Sequence, residues 1–185
     1  MRNINKQLII CLFLLTIGSI CNAEEKRYEQ KLNNGVIAIF ITKPFEREKH
    51  KIEWCKENKK IPCKIDGKVP HGNLFYVPTT EVSSLTIVIH NKQIKCDTSA
   101  MYDAYLDGFL KYHKKSNSLS SGYITPDQYR IRAVLGAEAG SYAVEYKLNN
   151  TRCVRTLLSS SEEDVFSMFD KLDDENRITS QPSGR

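Results

Sequence analysis

The stretch SYAVEYKLNNTRCVRTL, residues 141–157, is the part of the chain that most clearly predicts its fold. Large apolar side chains alternate with other residues along its first half, at Tyr142, Val144, Tyr146 and Leu148. A period of two is typical of a strand with one buried face, whereas a helix repeats its apolar face about every 3.6 residues. Two asparagines then favour a turn, and residues 152–157 complete a second strand. We therefore expect a β-hairpin here.

Two further hairpins are predicted by the same criteria. In the first, Asn33-Asn34-Gly35 suits a tight turn because Asn and Gly tolerate the positive φ that such turns require. The second is rich in β-branched residues, which favour strands. The two hairpins join residues 29–32 to 36–42, and residues 85–90 to 93–96 through Asn91-Lys92. Hairpins therefore supply most of the expected scaffold.

A main helix is predicted from Thr98 or Ser99 through Lys115. Its apolar residues recur at spacings of four, four and three, at Met101, Tyr105, Phe109 and Tyr112. Those spacings place the four side chains on one face, which we expect to pack against the sheet. Lysines near the end suit the negative carboxyl end of the helix dipole.

A short second helix is predicted after Ser160, which stands three residues before Glu163 as in a capping box. Its inward face is expected to carry Val165, Phe169 and Leu172.

The segment between these two helices is expected to be extended. Thr125-Pro126 could open a third helix, but residues 129–135 alternate and favour a strand, and residues 116–122 are a serine-rich connector. Together the patterns predict an α+β domain: an antiparallel sheet built from hairpins, covered by one main helix plus a short C-terminal helix.

The amino terminus has the three parts of a secretion signal. Arg2 and Lys6 supply positive charge, residues 8–17 are apolar, and smaller residues lead to Ala23. We expect residues 1–23 to be a cleaved signal peptide; the alternative is a lipid anchor on Cys21. The apolar run is about 10 residues and a bilayer needs about 20, so no stable membrane span is expected.

Cleavage at that point places the protein in the periplasm or outside the cell. The remainder is long enough for one domain with a real core and short for two. We expect a single globular domain over residues 24–174 and a flexible tail over residues 175–185, which lack apolar anchors.

The mature chain keeps an even number of cysteines, at Cys55, Cys63, Cys96 and Cys153. In an oxidising compartment two disulfides are the default. Three pairings are possible, and we favour Cys55 with Cys63 and Cys96 with Cys153. Zinc binding is the alternative, but the cysteines do not form the close pairs of metal modules, so no metal is expected.

Charge is unevenly spread along the chain. Residues 43–68 hold nine Lys and Arg against five acids, net plus four, whereas residues 162–175 hold seven acids against one lysine, net minus six. These segments could attract each other or different partners, or could simply be solvated faces. Nucleic acid is a poor candidate partner, because the basic stretch contains acids and few aromatic residues.

Catalytic motifs are missing from the sequence. It has no Gly-x-Ser-x-Gly elbow and no Ser-x-x-Lys pair, no cofactor is indicated, and the mature histidines are scattered, at His50, His71, His90 and His113. The best enzymatic pattern is Asp103 and Asp107, four apart on the predicted helix, which could act as a general acid and base on a glycan. Asp107 could equally pair with Lys111.

The stronger pattern indicates binding. Trp54 directly precedes Cys55, and a bridge to Cys63 would close a short charged loop carrying Lys56, Lys59 and Lys60, suited to an acidic surface on a protein partner. The alternative is a bridge that only stabilises a hairpin, with Trp54 in the core. We expect an exported, non-enzymatic protein that neutralises a protein partner, as an immunity protein or an inhibitor of a cell-wall enzyme does. The alternatives are a small secreted glycan hydrolase and a component of a cell-envelope assembly.

Overall fold

The computed structural model of the protein describes residues 24–73, 75–106, 119–125, 128–149 and 151–180. The predicted signal peptide, residues 1–23, lies outside the described residues. The elements are β1 (Lys26–Lys31), β2 (Ile37–Pro44), β3 (Ile52–Trp54), β4 (Pro62–Ile65), β5 (Thr80–Ile89), β6 (Lys92–Cys96), β7 (Leu119–Thr125), β8 (Gln128–Leu135), β9 (Tyr142–Leu148), β10 (Cys153–Ser159) and α1 (Glu162–Ser180).

All three predicted hairpins are confirmed, as the antiparallel pairs β1–β2, β5–β6 and β9–β10. The first turns through Asn34 and Gly35, both with positive φ, at 62° and 70°. The second turns one residue earlier than predicted, because His90 and Asn91 are the residues with positive φ, at 47° and 62°. Two successive residues of this kind match the twist of the flanking strands.

The strands form two four-stranded sheets rather than the single sheet expected. Their orders are β1-β2-β5-β6 and β10-β9-β8-β7, and β3 with β4 makes a separate two-stranded ribbon. Facing side chains of both sheets share one core cluster, which includes Phe40 and Ile87 from the first sheet and Tyr142 and Tyr146 from the second. Alternation predicted which residues turn inward, but not that they meet a second sheet.

The predicted main helix is wrong over its first half. Residues 99–105 are not helical, Leu106 is helical, and the rest of the predicted helix, residues 107–115, lies outside the described residues. Ala100, Asp103 and Tyr105 have positive φ values of 66°, 41° and 47°, which a right-handed helix does not allow. Backbone bridges from Met101 to His71 and from Tyr102 to Glu81 hold these two residues extended. Met101 is buried as predicted, although by an extended chain.

The C-terminal helix is longer than predicted, running from Glu162 through Ser180. Its cap is one residue later than expected: the Ser161 hydroxyl accepts the Asp164 N–H at 3.2 Å and donates to the Asp164 carboxylate at 2.8 Å. The helix also occupies residues 175–180 of the predicted tail, and the Glu175 side chain contacts Ser120. Residues 181–185 lie outside the described residues.

Helix α1 packs on the second sheet through the face opposite the shared core. Val165, Met168 and Leu172 form a separate buried cluster with Val134 and Ala143. The predicted inward position of Phe169 is wrong, because its side chain is exposed. None of the helical residues that the structure describes forms a helix long and apolar enough to cross a membrane.

Two segments assigned from weaker patterns have different outcomes. The strand preferred for residues 129–135 is confirmed as β8. The connector predicted over residues 116–122 is wrong in its second half, because β7 begins at Leu119 and pairs with β8. Serine is not among the residues that favour strands, but pairing with a neighbouring strand decides the conformation here.

Candidate functional site

Both preferred disulfides are confirmed. Cys55 pairs with Cys63 across a separation of 8 residues, and Cys96 with Cys153 across 57, with Cα–Cα distances of 4.9 and 5.1 Å. The longer bridge joins the edge strands β6 and β10 and so closes one side of the two-sheet sandwich. The shorter bridge closes the β3–β4 ribbon, which we call the stapled hairpin, residues 52–65.

The turn of the stapled hairpin is held by local hydrogen bonds as well as by its disulfide. The backbone N–H of Cys55 donates to the carbonyl of Ile61 at 3.0 Å, and the N–H of Ile61 donates to the carbonyl of Asn58 at 3.1 Å. The Asn58 side chain also accepts the N–H of Lys60 at 3.0 Å. This turn conformation is therefore built before any partner binds.

The structure brings the predicted lysines together on this turn. Lys56, Lys59 and Lys60 are all exposed, and Glu57 is the one acid among residues 56–60, so the turn carries a net charge of plus two. Across the described ranges, none of these three ammonium groups takes part in an ion pair. Their charge is therefore available to a partner.

Trp54 lies on the stapled hairpin and not in either hydrophobic cluster. The Arg47 guanidinium carbon lies 5.2 Å from the centroid of its ring, within range of a cation–π contact. The interpretation of Trp54 as a core residue is therefore wrong. Arg47 itself was not singled out from the sequence, because its only signal was membership of the basic segment.

His50 sits at the base of the stapled hairpin, between two carboxylates. Its Nδ1 lies 2.7 Å from Asp66, and its Nε2 lies 3.4 Å from Glu81 on β5. The Phe45 ring stacks on the imidazole with centroids 4.4 Å apart, and only 13% of the His50 side chain is exposed. The histidine thus links the hairpin to the first sheet, a role that its isolated position in the sequence did not predict.

The carboxylates around His50 have hydrogen-bonding or ion-pair partners within the protein. The hydrogen bond from His50, with a second from the Lys51 backbone N–H, lowers the pKa of Asp66. A hydrogen bond to Glu81, 3.0 Å away, raises the pKa of Lys43. These groups line a cleft of about 510 Å³ between the hairpin and the first sheet. Because Asp66 and Glu81 already have partners within the protein, the chemistry of the cleft is that of a structural contact between the hairpin and the first sheet.

Asp103 has a structural environment. Its side chain is 2% exposed, and Oδ1 accepts four hydrogen bonds, from the backbone N–H groups and the hydroxyls of Thr79 and Thr80, at 2.8 to 3.3 Å. Asp103 has positive φ and is not helical, so the helical spacing that suggested a pair with Asp107 does not hold at this residue. Asp107 lies outside the described residues.

The other histidines are separated from one another. His71 Nδ1 lies 3.0 Å from the Ser160 hydroxyl, His90 lies in the β5–β6 turn, and His113 is outside the described residues. Burial, with a nearby arginine charge, lowers the pKa of His71. Within the described part of the chain, no group of three His, Cys, Asp or Glu side chains could hold a metal ion.

Comparisons of the chain with protein-family models, curated proteins and solved structures find no match. The chemistry of its side chains is therefore the guide to its function. Among the sequence-predicted sites, the stapled hairpin is the one whose residues the structure gathers on a single exposed surface.

Proposed function

We propose that this protein is exported and binds a protein partner with an acidic surface, through the turn of the stapled hairpin, and that binding neutralises the partner. An immunity protein against a delivered toxin and an inhibitor of a cell-wall enzyme are both roles of this kind. The observation that carries the proposal is a set of three exposed lysines on a turn closed by a disulfide, Lys56, Lys59 and Lys60, which form no ion pair with any other residue that the structure describes.

Preorganisation supports a binding role for this turn. A flexible loop loses conformational entropy when a partner orders it, and each immobilised long side chain adds a cost of about 0.5–1.5 kcal/mol. Here the Cys55–Cys63 bridge and the Asn58 hydrogen bonds already hold the backbone. Binding then has to order only the lysine side chains.

The charge on the turn supports the choice of an acidic partner. Exposed lysines without partners attract carboxylates from a distance, which raises the association rate and makes binding sensitive to salt. Charges at the edge of an interface affect this rate more than they affect the final affinity. Salt-dependent association is therefore the expected kinetic signature.

Export is the part of the proposal that rests on the sequence. Two disulfides are compatible with an oxidising compartment outside the cytoplasm. Residues 1–23 stay a predicted signal peptide. The glycan-hydrolase alternative has less support, because Asp103 already accepts four hydrogen bonds and is almost fully buried.

The test is affinity capture with the oxidised protein as bait, from the periplasmic and secreted fractions of the cells that make it. Three baits are compared: the wild type, a variant with three charge reversals on the turn, and a control with three reversals on other exposed lysines. The two variants are K56E/K59E/K60E and K31E/K92E/K95E. Both change the net charge by the same amount, so a difference between them reports position and not charge alone.

We expect one stoichiometric partner on the wild type and on the control, and its loss from the turn variant. With the purified partner, the turn variant should bind at least about tenfold more weakly, chiefly through slower association at low salt. Equal capture by all three baits would contradict the proposal. Capture of several envelope proteins would favour the assembly component, and capture of none would leave the enzyme as the better hypothesis.

A further inference from the structure

A second surface of the protein combines exposed aromatic rings with acidic side chains. Helix α1 and the tight turn between β8 and β9 enclose a cleft of about 440 Å³, which we call the α1 cleft. Its walls include Val165, Phe166 and Phe169 from the helix, with Glu162 at the start of the helix and Glu138 from the turn. Volumes of about 300–1,000 Å³ are typical of clefts that bind ligands.

The phenylalanines of the cleft are not needed by the core. Phe166 is 65% exposed and Phe169 is 37% exposed, whereas Met168 and Leu172 of the same helix are buried against the second sheet. Large apolar side chains scattered singly on a surface are ordinary, but adjacent ones that line a cleft indicate an interaction site.

Residues 71–73 lie beside the cleft, and contacts at two points support this placement. A Cβ on Gly140 would lie 3.2 Å from Asn73, and His71 lies 3.0 Å from the hydroxyl of Ser160, which also lines the cleft. The segment 71–73 therefore supports both the turn and the start of the helix that form the cleft.

The turn that forms the other wall is preformed. Gly136 has a φ of 85°, and a Cβ there would lie 2.3 Å from the carbonyl oxygen of Gly140, so the turn closes this tightly only with glycine. The backbone N–H groups of Gly140 and Ser141 donate to the backbone carbonyl oxygens of Ala137 and Glu138, respectively. A wall of this kind needs little ordering when a ligand binds.

The charge of the α1 cleft indicates that its ligand is cationic. Glu138 and Glu162 are exposed, and neither carboxylate is in an ion pair within the described ranges. Phenylalanine faces also attract cations. Acids and aromatic faces together suit a lysine or arginine next to an apolar anchor, whereas the acids would repel the anionic headgroups of a membrane surface.

We propose that the α1 cleft binds a cationic peptide segment of a protein partner, whose aromatic or aliphatic residue seats against Phe166 and Phe169 while its Lys or Arg meets Glu138 and Glu162. This surface is acidic and the stapled hairpin is basic, so the two favour ligand segments of opposite charge. The inference does not depend on the function proposed for the hairpin.

The test uses three blocked tripeptides that share a tryptophan anchor: acetyl-Arg-Trp-Arg-amide, acetyl-Ser-Trp-Ser-amide and acetyl-Glu-Trp-Glu-amide. Each is titrated into the oxidised, ¹⁵N-labelled protein while backbone amide shifts are followed by NMR. Two cleft variants, F166S and E138Q/E162Q, are compared with two controls. The controls are V154S, which removes an exposed apolar residue from β10, and D173N/D174N, which neutralises two exposed acids elsewhere on α1.

We expect the arginine peptide to bind most tightly, with shifts confined to residues 138–141 and 160–169. E138Q/E162Q should weaken it about fivefold, as two exposed ion pairs would, and F166S about tenfold, while both controls bind like the wild type. Equal binding of the three peptides, shifts spread over other surfaces, or equal weakening by D173N/D174N would overturn the proposal. So would the absence of any binding by the arginine peptide. None of these outcomes depends on whether K56E/K59E/K60E loses the partner of the stapled hairpin, so the two proposals can fail separately.

Discussion

Replacing Asp103 by asparagine tests the role of a buried carboxylate that accepts four hydrogen bonds. Oδ1 of Asp103 accepts from the Thr79 hydroxyl at 2.8 Å and from the backbone N–H groups of Thr80 and Thr79 at 2.9 and 3.0 Å. The side chain thereby fixes the start of β5 to the segment that follows β6. Asparagine is the appropriate substitution, because it keeps the size of the side chain and tolerates the positive φ of 41°.

The expected cost follows from the loss of charge. A hydrogen bond to a charged group contributes about 1.5–3 kcal/mol and a neutral one about 1 kcal/mol. Weakening three short bonds by about 0.5–1 kcal/mol each gives a loss of about 2 kcal/mol for D103N. D103A should cost about 4 kcal/mol, because it removes the charged acceptor of the Thr79 and Thr80 N–H groups and adds the strain of a positive φ.

Urea unfolding followed by far-ultraviolet circular dichroism measures these free energies of unfolding. The control is D173N, which makes the same chemical change at an exposed position on α1 and should stay within about 0.3 kcal/mol of the wild type. A catalytic Asp103 predicts the opposite pattern: activity lost with little change in stability. If D103N unfolds at the wild-type midpoint with an unchanged m value, the structural interpretation of this carboxylate is refuted.

Three other predictions concern the core, a histidine and a turn. C96S/C153S should lower the free energy of unfolding by about 4 kcal/mol, because the disulfide closes a loop of 57 residues. Denaturant titration measures this free energy, and a loss below about 1 kcal/mol would contradict the prediction. Burial lowers the pKa of His71 below its usual 6.5, so the unfolded chain binds this proton more readily than the folded chain does. The contribution of His71 to the free energy of unfolding is therefore complete above pH 6.5 and decreases as the pH falls below that value. H71Q should therefore reduce the fall in Tm between pH 7.5 and 5.5, and an unchanged fall would count against this cause. G136A should lower the free energy of unfolding by about 3 kcal/mol, because its Cβ would lie 2.3 Å from a carbonyl oxygen. G35A also has a positive φ but meets no atom within 4 Å, so it should lower the free energy of unfolding by about 1 kcal/mol. Equal unfolding midpoints for the two variants would show that the clash at Gly136 is relieved.

The candidate site could be predicted from the sequence as far as its local chemistry extends. A short loop between Cys55 and Cys63 with three lysines is a local feature, and local features survive in any fold that keeps the disulfide. The link from His50 to Glu81 could not be found this way, because the two residues are 31 positions apart and meet only after β5 is placed. The same holds for the α1 cleft, whose walls come from a turn and a helix distant in the sequence.

The helix predicted from Met101 and Tyr105 shows where periodicity misleads. Spacings of four place side chains together only if the backbone is already helical. Here backbone hydrogen bonds to His71 and Val82 hold Met101 and Tyr102 extended, and the Asp103 side chain accepts hydrogen bonds at the start of a neighbouring strand. Tertiary partners outweighed local propensity, which differs by less than about 1 kcal/mol between most residues.

The sequence by itself determined the three hairpins and therefore which consecutive strands pair. Alternation and turn chemistry are local, and each residue has its own preference for strand or turn conformation. It also indicated the pairing of the cysteines. Only the tertiary structure decided that the strands form two sheets, which polar groups are buried, and which aromatic residues stay exposed. The physical reason is that burial and hydrogen bonding depend on neighbours from distant parts of the chain, and those neighbours are set only when the sheets pack.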